Sequence, residues 1–490
     1  MMLSSLTITV ALKKLRAKEC TATDLVKSCI ERIEKVDNTL NAVVHRNFDR
    51  ALDEAKKIDM KGDYSAPLAG IPYLAKDVYC EKGVPTTACS NVLRDKQYCP
   101  PYDSTTTKRL REAGAISLGK SNTDEFTMGA STETSCFGPA RNPWDPTRTA
   151  GGSSGGSAAG VAADECLFAL GTDTGGSIRL PAGFCGCTGL RVTYGRTSRF
   201  GVMSMASSLD TIGPLTKTVE DTAHVLKVIA GKDPYDGTSG DVPVPDYAAG
   251  LKNNLKGVRI GIPDEYFIEG ILPEAEEKVR DGIKVLRELG AELKQISLPH
   301  TKYALATYYV LVPCEVSSNL ARYDGVRFGH TVSERDDLRN YYEAVRGTGF
   351  SPEGKRRIMV GTYALSAGYY DAYYRQAQRV RTLIIRDFDE AFREVDLVAA
   401  PISPGVAFTV GSHANDPVAM YLEDAFMDGA VMGGIPAMSV QCGFVKAPDA
   451  DTRLPVGLQL MGPQWGEEAV LRAGHAYQTA TKWHLEKPVL

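Results

Sequence analysis

Apolar residues recur along this chain in two alternating textures. Near the N-terminus, Leu25, Val26, Cys29, Ile30 and Ile33 fall at helical spacing, and Thr23 stands where a helix cap belongs. That pattern predicts an amphipathic helix. Residues 51–59 continue a helical pattern, so residues 1–65 read as a helical arm packed on the core. From Ala69 the texture changes. Residues 71–75 and 115–118 are short apolar runs that predict strands, 104–112 predicts a helix, and 161–170 is a continuous buried run. Alternation of this kind predicts an α/β sheet rather than a helical bundle. Residues 232–245, rich in Pro, Asp and Gly, read as a linker. Beyond them come a strand at 258–263, a helix at 274–289, a long charged-aromatic helix at 371–392, and buried strands at 399–401 and 437–440.

Composition narrows the class without deciding it. The chain has 490 residues, enough for about three domains of ordinary size, with 43% hydrophobic and 24% charged residues. Its 56 basic and 60 acidic residues leave a net charge of −4, with no Lys/Arg run, so its own surface does not resemble a nucleic-acid binder. The first positive charge is Lys13 and nowhere do 18 apolar residues run together, so no secretory leader and no membrane span are expected. Eleven scattered cysteines without a CxxC pair, and seven dispersed histidines, give no zinc spacing. Reduced thiols in a cytoplasmic protein fit best.

Two familiar patterns fail on context. Gly114-Ala-Ile-Ser-Leu-Gly119-Lys120-Ser121 matches the phosphate-binding P-loop, but that loop needs a strand before it and a helix after it. Here a helix ends at Gly114 and the supposed loop is itself an apolar strand, which points to a helix-turn-strand connection. Gly151-Gly-Ser153-Ser154-Gly155-Gly156 matches the GxSxG nucleophile elbow, which needs a strand leading in and a histidine arriving later. The segment before it is Asn142-Pro-Trp-Asp-Pro-Thr-Arg-Thr, a turn-rich loop.

The chemistry concentrates between Gly151 and Gly201, where 51 residues hold 13 of the 47 glycines. Two Gly-Ser clusters, 151–157 and Gly171-Thr-Asp-Thr-Gly-Gly-Ser177-Ile-Arg-Leu-Pro181, are joined by an apolar spacer. The spacer argues against a flexible linker. Three successive amides, Thr174, Gly175 and Gly176, immediately before a serine are what an oxyanion hole requires while Ser177 attacks. A serine nucleophile needs a base, and this region has no histidine. Lys76, at the end of the apolar run 71–75, is the available group. A buried lysine loses solvation, its pKa falls, and it can act as a neutral base.

Lys76, Gly-Gly-Ser153-Ser-Gly-Gly-Ser and Gly-Thr-Asp-Thr-Gly-Gly-Ser177-Ile-Arg together resemble the amidase signature family. The resemblance implies a single large α/β domain, a mixed central sheet covered by helices, with residues 66–490 as the catalytic part and residues 1–65 as an arm. It implies a Ser–cisSer–Lys triad: Ser177 forms the acyl-enzyme, Ser153 beside a cis peptide relays the proton, and Lys76 is the ultimate base. Residues 122–135, 142–145, 315–325, 355–359, 366–374 and 455–463 are further similar to the A subunits of bacterial glutamyl-tRNA(Gln)/aspartyl-tRNA(Asn) amidotransferases, so the similarity runs essentially end to end. In those subunits the ammonia donor is glutamine. The matching positions are Arg357 (or Arg356) for the carboxylate, Asp424 for the ammonium, Tyr308 (or Tyr309) nearby, and Met128 and Gly129. An arginine can hold a carboxylate bidentately, and an aspartate favours a free amine.

The resemblance implies B and C subunits as partners, misacylated tRNA reached through the B subunit, and no cofactor in this chain, with ATP and Mg on the partner. A stand-alone hydrolase of small amides is the alternative. Three departures from the family pattern stand out: Ala150 for a usual proline, Leu180 for a common glutamine, and Val431-Met-Gly-Gly434 for a typical Asn-Leu-Ala-Gly. The third bears on the packing of the donor pocket.

Overall fold

The computed structural model describes residues 2–94, 98–333 and 337–490. Its strands are β1 (Val43–Arg46), β2 (Pro72–Lys76), β3 (Ile116–Ser121), β4 (Arg141–Asn142), β5 (Asp145–Thr149), β6 (Phe168–Asp173), β7 (Thr188–Arg191), β8 (Thr211–Thr216), β9 (Arg259–Pro263), β10 (Glu292–Ile296), β11 (Leu397–Pro401), β12 (Ala437–Lys446) and β13 (Arg453–Met461). Eleven of them form one mixed sheet in the order β1-β3-β2-β6-β8-β7-β12-β13-β11-β9-β10, and β4 and β5 pair separately as a small ribbon. β2 runs parallel to β3 and β6, β8 is antiparallel to β6, and β9 is parallel to both β11 and β10. Every residue of β2, β6, β8 and β11 is buried. Helices cover both faces of such strands, so they read as continuous apolar runs without alternation. This is the α/β architecture that the sequence pattern predicts, in a single domain.

Several boundaries differ from the sequence expectation for identifiable reasons. The second helix, Ala22–Leu40, is capped by Thr21 and not Thr23, because Thr21 and Asp24 form a reciprocal capping box. The Thr23 amide instead donates to Asp59 on the helix Phe48–Lys61, which also accepts the Ala22 amide. Between those two helices lies β1, which pairs antiparallel with β3 and so makes the N-terminal arm one edge of the main sheet. A four-residue Val-Val-His-Arg strand is too short to show a period. The buried run 161–170 divides where the helix Gly155–Ala162 ends, turns through Asp164 at φ 62° and re-enters as β6.

Residues 232–245 do not separate domains. Asp233 accepts hydrogen bonds from the Thr105 and Ser198 hydroxyls, Asp236 accepts the Arg199 amide, and Gly240 lies against the Trp465 indole. The strands before and after this loop, β8 and β9, belong to the same sheet. The P-loop pattern resolves as a helix-turn-strand. Gly114, at φ 87°, follows the helix Thr105–Glu112, and Lys120 lies within β3, where its amine donates to the Tyr79 carbonyl and pairs with Glu81. No helix among the described residues is long and apolar enough to cross a membrane.

Two helices outside the sheet, Ala304–Leu320 and Pro352–Ala364, meet along an unusually close seam. A Cβ on Gly361 would overlap the Pro313 carbonyl oxygen. Pro313 lies inside its helix and has no amide to give the Tyr309 carbonyl. Gly361→Ala is therefore expected to cost about 1–3 kcal/mol by forcing the two helices apart. Urea unfolding should show a lower midpoint at unchanged m-value.

Candidate active site

Lys76 ends β2, and its side chain is fully buried. Its amine donates to the hydroxyls of Ser153 at 2.7 Å, Ser154 at 2.9 Å and Thr172 at 2.9 Å. All three N–H donors are thus spent on neutral oxygens, and among the described residues no carboxylate is bonded to the amine. Burial pulls its pKa down to about 7, against the opposing charges of Asp124 and Asp173. Half of such a group is the free amine near neutrality.

Ser153 lies in the loop that enters the helix Gly155–Ala162, and the Gly152–Ser153 peptide is cis. Gly152 is required there, since a Cβ would strike the Asp124 carboxylate and the Ser131 amide. A Cβ on Gly129 would strike the same carboxylate. Asp124 is held in place by the Thr132 amide and the Thr134 hydroxyl. The second Gly-Ser cluster is tied to the first by the Ser154 amide, which donates to the Ser177 carbonyl at 3.1 Å. Ser177 keeps 5% exposure, whereas Lys76 and Ser153 keep none, so Ser177 stands on the open side of the three.

Asp173 organises the loop that carries Ser177. Its carboxylate accepts two bonds from the Arg179 guanidinium, one from Arg191, and the amides of Gly176 and Ile178. Burial alone would push this carboxyl up, but the two arginines hold it well below the usual carboxylate range. One sequence expectation is corrected here. The Gly176 amide is engaged by Asp173 at 3.0 Å and does not face an incoming oxygen. Among the described residues, the amides of Thr174, Gly175 and Ser177 have no acceptor. The Thr174 hydroxyl is fixed by Asp210 at 2.7 Å, which also accepts the Met205 and Ala206 amides.

Over this loop stands a cluster of aromatic and charged groups. The Tyr308 ring lies on Gly175 and the Met427 sulfur on Gly176, so close that neither position could bear a Cβ. Arg357 is buried, with its guanidinium 5.5 Å from the Tyr309 ring centre and 5.7 Å from that of Tyr421. Its Nε donates to Glu353 at 2.8 Å, which also accepts the Tyr421 hydroxyl. Arg356 is exposed, so of the two adjacent arginines Arg357 is the one within the cluster. Both tyrosines take part: Tyr308 covers the loop, and Tyr309 donates to Asp424 at 3.1 Å. Asp424 is buried, and burial pushes its carboxyl up despite Arg357. Met128 is buried close to Gly354 of the Arg357 helix.

Sequence reasoning missed Asp173, Asp124, Asp210, Glu353 and Tyr421. Asp173 lay within the quoted motif, but its partner Arg191 comes from another strand and carries no local signal. Of the departures, Leu180 packs with Ala130, Phe184, Ile402 and Met427, and Val431 lies in the main apolar core. The GxSxG match resolves differently from an elbow: β5 leads in from the small ribbon, and the group bonded to Ser153 is a lysine.

A profile of the family described as Amidase matches residues 24–471. The chain is 52% identical to the A subunit of the glutamyl-tRNA(Gln) amidotransferase of Chloroflexus aurantiacus over 491 residues, covering 100% of this chain and 99% of that protein. It is equally 52% identical to the protein of the same name in Moorella thermoacetica, over 97% of this chain and 96% of that one. Among solved structures, the corresponding A subunit of Thermotoga maritima superposes with a TM-score of 0.79 at 36% identity, covering 97% and 95% of the two chains. A bacterial aryl acylamidase superposes at 0.84 with 24% identity over 98% and 97%, which speaks for the fold alone.

The Asp173 cluster predicts a strong effect on stability. Asp173→Asn would leave two buried arginines short of their counter-charge, at a cost of about 3–5 kcal/mol in chemical unfolding at pH 7. Because the carboxyl is held low in the folded chain, its contribution is complete above about pH 5 and fades as acid protonates it. The gap between the two proteins should therefore close in acid.

Proposed function

The chain belongs to the amidase family, and we propose on that footing that it is the glutamine-hydrolysing subunit of a tRNA-dependent amidotransferase. The observation that carries this reading is the Lys76 amine, bonded to three hydroxyls and to no acid, with its pKa drawn to about 7. A lysine so placed can take a serine proton at neutral pH, and Ser153 is the hydroxyl closest to it.

In the proposed reaction, Ser177 Oγ attacks the side-chain amide carbon of glutamine. Its proton passes through Ser153 to Lys76. The amides of Thr174, Gly175 and Ser177 hold the oxyanion as it forms. The tetrahedral intermediate collapses, the C–N bond breaks, and the proton on Lys76 returns through Ser153 to the leaving nitrogen as ammonia departs. Water, giving its proton to the same relay, then attacks the glutamyl ester on Ser177; the bond to Ser177 Oγ breaks, the relay returns the proton to that oxygen, and glutamate leaves. Arg357 holds the α-carboxylate of the donor and Asp424 its α-ammonium, with Tyr308, Met128 and Gly129 shaping the pocket. An opposite-charge pair of this kind suits a free amino acid and disfavours a simple amide, which supports glutamine over a stand-alone amidase substrate.

The relatives, named as A subunits, support a multi-subunit assembly. In our reading the ammonia passes to a B subunit, where ATP and Mg activate misacylated tRNA, with a C subunit completing the cytoplasmic complex. Residues 66–490 form the catalytic part and residues 1–65 its arm.

Ser177→Ala should abolish glutamine-dependent transfer in the assembled complex while leaving transfer from free ammonium intact. Retained glutaminase activity in that variant would sink the mechanism. Lys76→Ala should lower kcat by about 10²–10⁴-fold. In the unaltered protein, kcat/KM for glutamine should rise with pH through about 7, because below that value Lys76 is an ammonium and cannot accept the serine proton.

A further inference from the structure

Glu353 and Arg357 stand one turn apart on the helix Pro352–Ala364, and their side chains keep only 13% and 5% exposure. The Arg357 Nε donates to Glu353 Oε1 at 2.8 Å. Among the described residues Glu353 is the one acid paired with this guanidinium, and Nη1 and Nη2 have no acceptor. Asp424 accepts the Tyr309 hydroxyl and forms no ion pair with Arg357. Buried polar groups nearly always find partners, so a buried guanidinium with two of its three nitrogens idle is a place for an anion to arrive.

One oxygen of Glu353 serves two donors. Besides the Arg357 Nε, Oε1 accepts the Tyr421 hydroxyl at 3.0 Å. Tyr421 belongs to the short helix Pro417–Leu422, which buries none of its residues, and its ring stacks on that of Tyr309 with centres 3.9 Å apart. The Arg357 guanidinium lies beside both rings. A single oxygen therefore fixes the arginine and the aromatic pair next to it. The other oxygen, Oε2, takes the exposed Arg356. Burial alone would push the Glu353 carboxyl up, but Arg357 and the Tyr421 hydroxyl hold it below its ordinary value, so it is ionised at neutral pH.

A guanidinium can grip a carboxylate along either of two edges, Nε with Nη2 or Nη1 with Nη2. Glu353 occupies Nε, so only the second edge remains whole. We propose that Glu353 is a positioning residue for the amide donor: its Oε1 holds Arg357 by Nε and leaves the Nη1–Nη2 edge to take the donor's α-carboxylate. The inference rests on the glutamine reading of this site. An ordinary ion pair four residues apart on a helix surface contributes little and orients nothing. This one differs in being buried, in sharing its acceptor with a tyrosine from another segment, and in leaving the far edge of the arginine unspent.

The test compares two donors on the assembled complex: glutamine, and 4-aminobutanamide, which has the same amide and amine but no carboxylate. Glu353→Leu should lower kcat/KM for glutamine about tenfold or more, mostly through KM, and leave 4-aminobutanamide within twofold. Glu353→Gln keeps an oxygen at Oε1 for both Arg357 and Tyr421, and should recover most of that loss. If Glu353→Leu keeps the unaltered preference for glutamine, or loses both donors alike, the pair is structural only and the inference falls alone. It falls equally if Glu353→Gln is as poor with glutamine as Glu353→Leu. If the unaltered protein shows no preference for glutamine over 4-aminobutanamide, the donor reading falls and takes this inference with it.

Discussion

The site depends on one amine kept bonded but not neutralised. Lys76 could have been paired with an acid, and the acids are near: Asp124 and Asp173 both act on it electrostatically. Each is committed elsewhere, Asp124 to Thr132 and Thr134, Asp173 to Arg179 and Arg191. What remains for Lys76 is a set of three hydroxyls, which satisfy its N–H groups without stabilising its charge as a carboxylate would. Burial can then act on the amine with little opposition. The two features around it, the Gly-Ser loop at 151–154 and the end of β6, are placed by the need to bring those hydroxyls to one point.

The groups proposed to react and the groups proposed to choose the donor come from different parts of the fold. Lys76 ends β2, Thr172 and Asp173 end β6, and Ser177 lies just beyond, so the proposed reacting groups hang from the buried centre of the sheet. Tyr308, Arg357 and Asp424 come from helices and turns that lie outside it. The two sets touch at Gly175 and Gly176, where the absence of side chains lets Tyr308 and Met427 descend onto the nucleophile loop.

Much of this was legible in the sequence, and the remainder was hidden for physical reasons. The Gly-Ser clusters and a lysine at a strand end are local signals, and the structure bonds Lys76 to Ser153 and ties the Ser177 loop to Ser154. Long periodic helices such as Tyr374–Glu394 were visible within a few residues. A cap such as Thr21 depends on which of two nearby threonines meets Asp24, and β1 exists only because β3 is there to pair with it. The oxyanion donors were misjudged at Gly176 because consecutive amides do not reveal which of them a neighbouring acid will claim. Arg191 acts across the fold, and nothing in its neighbours along the chain announces it.

The seam between Gly361 and Pro313 has a consequence for what the pocket can measure. It locks the helix of Tyr308 and Tyr309 to the helix of Arg357, while Asp424 is tied to the first helix through Tyr309. The groups proposed to bind the donor's carboxylate and ammonium therefore form a fixed gauge relative to Ser177. Under the glutamine reading, a donor one methylene shorter could fill both charged positions and still leave its amide carbon short of the serine oxygen. Discrimination against asparagine then needs no group that repels it; the spacing of two packed helices is the ruler.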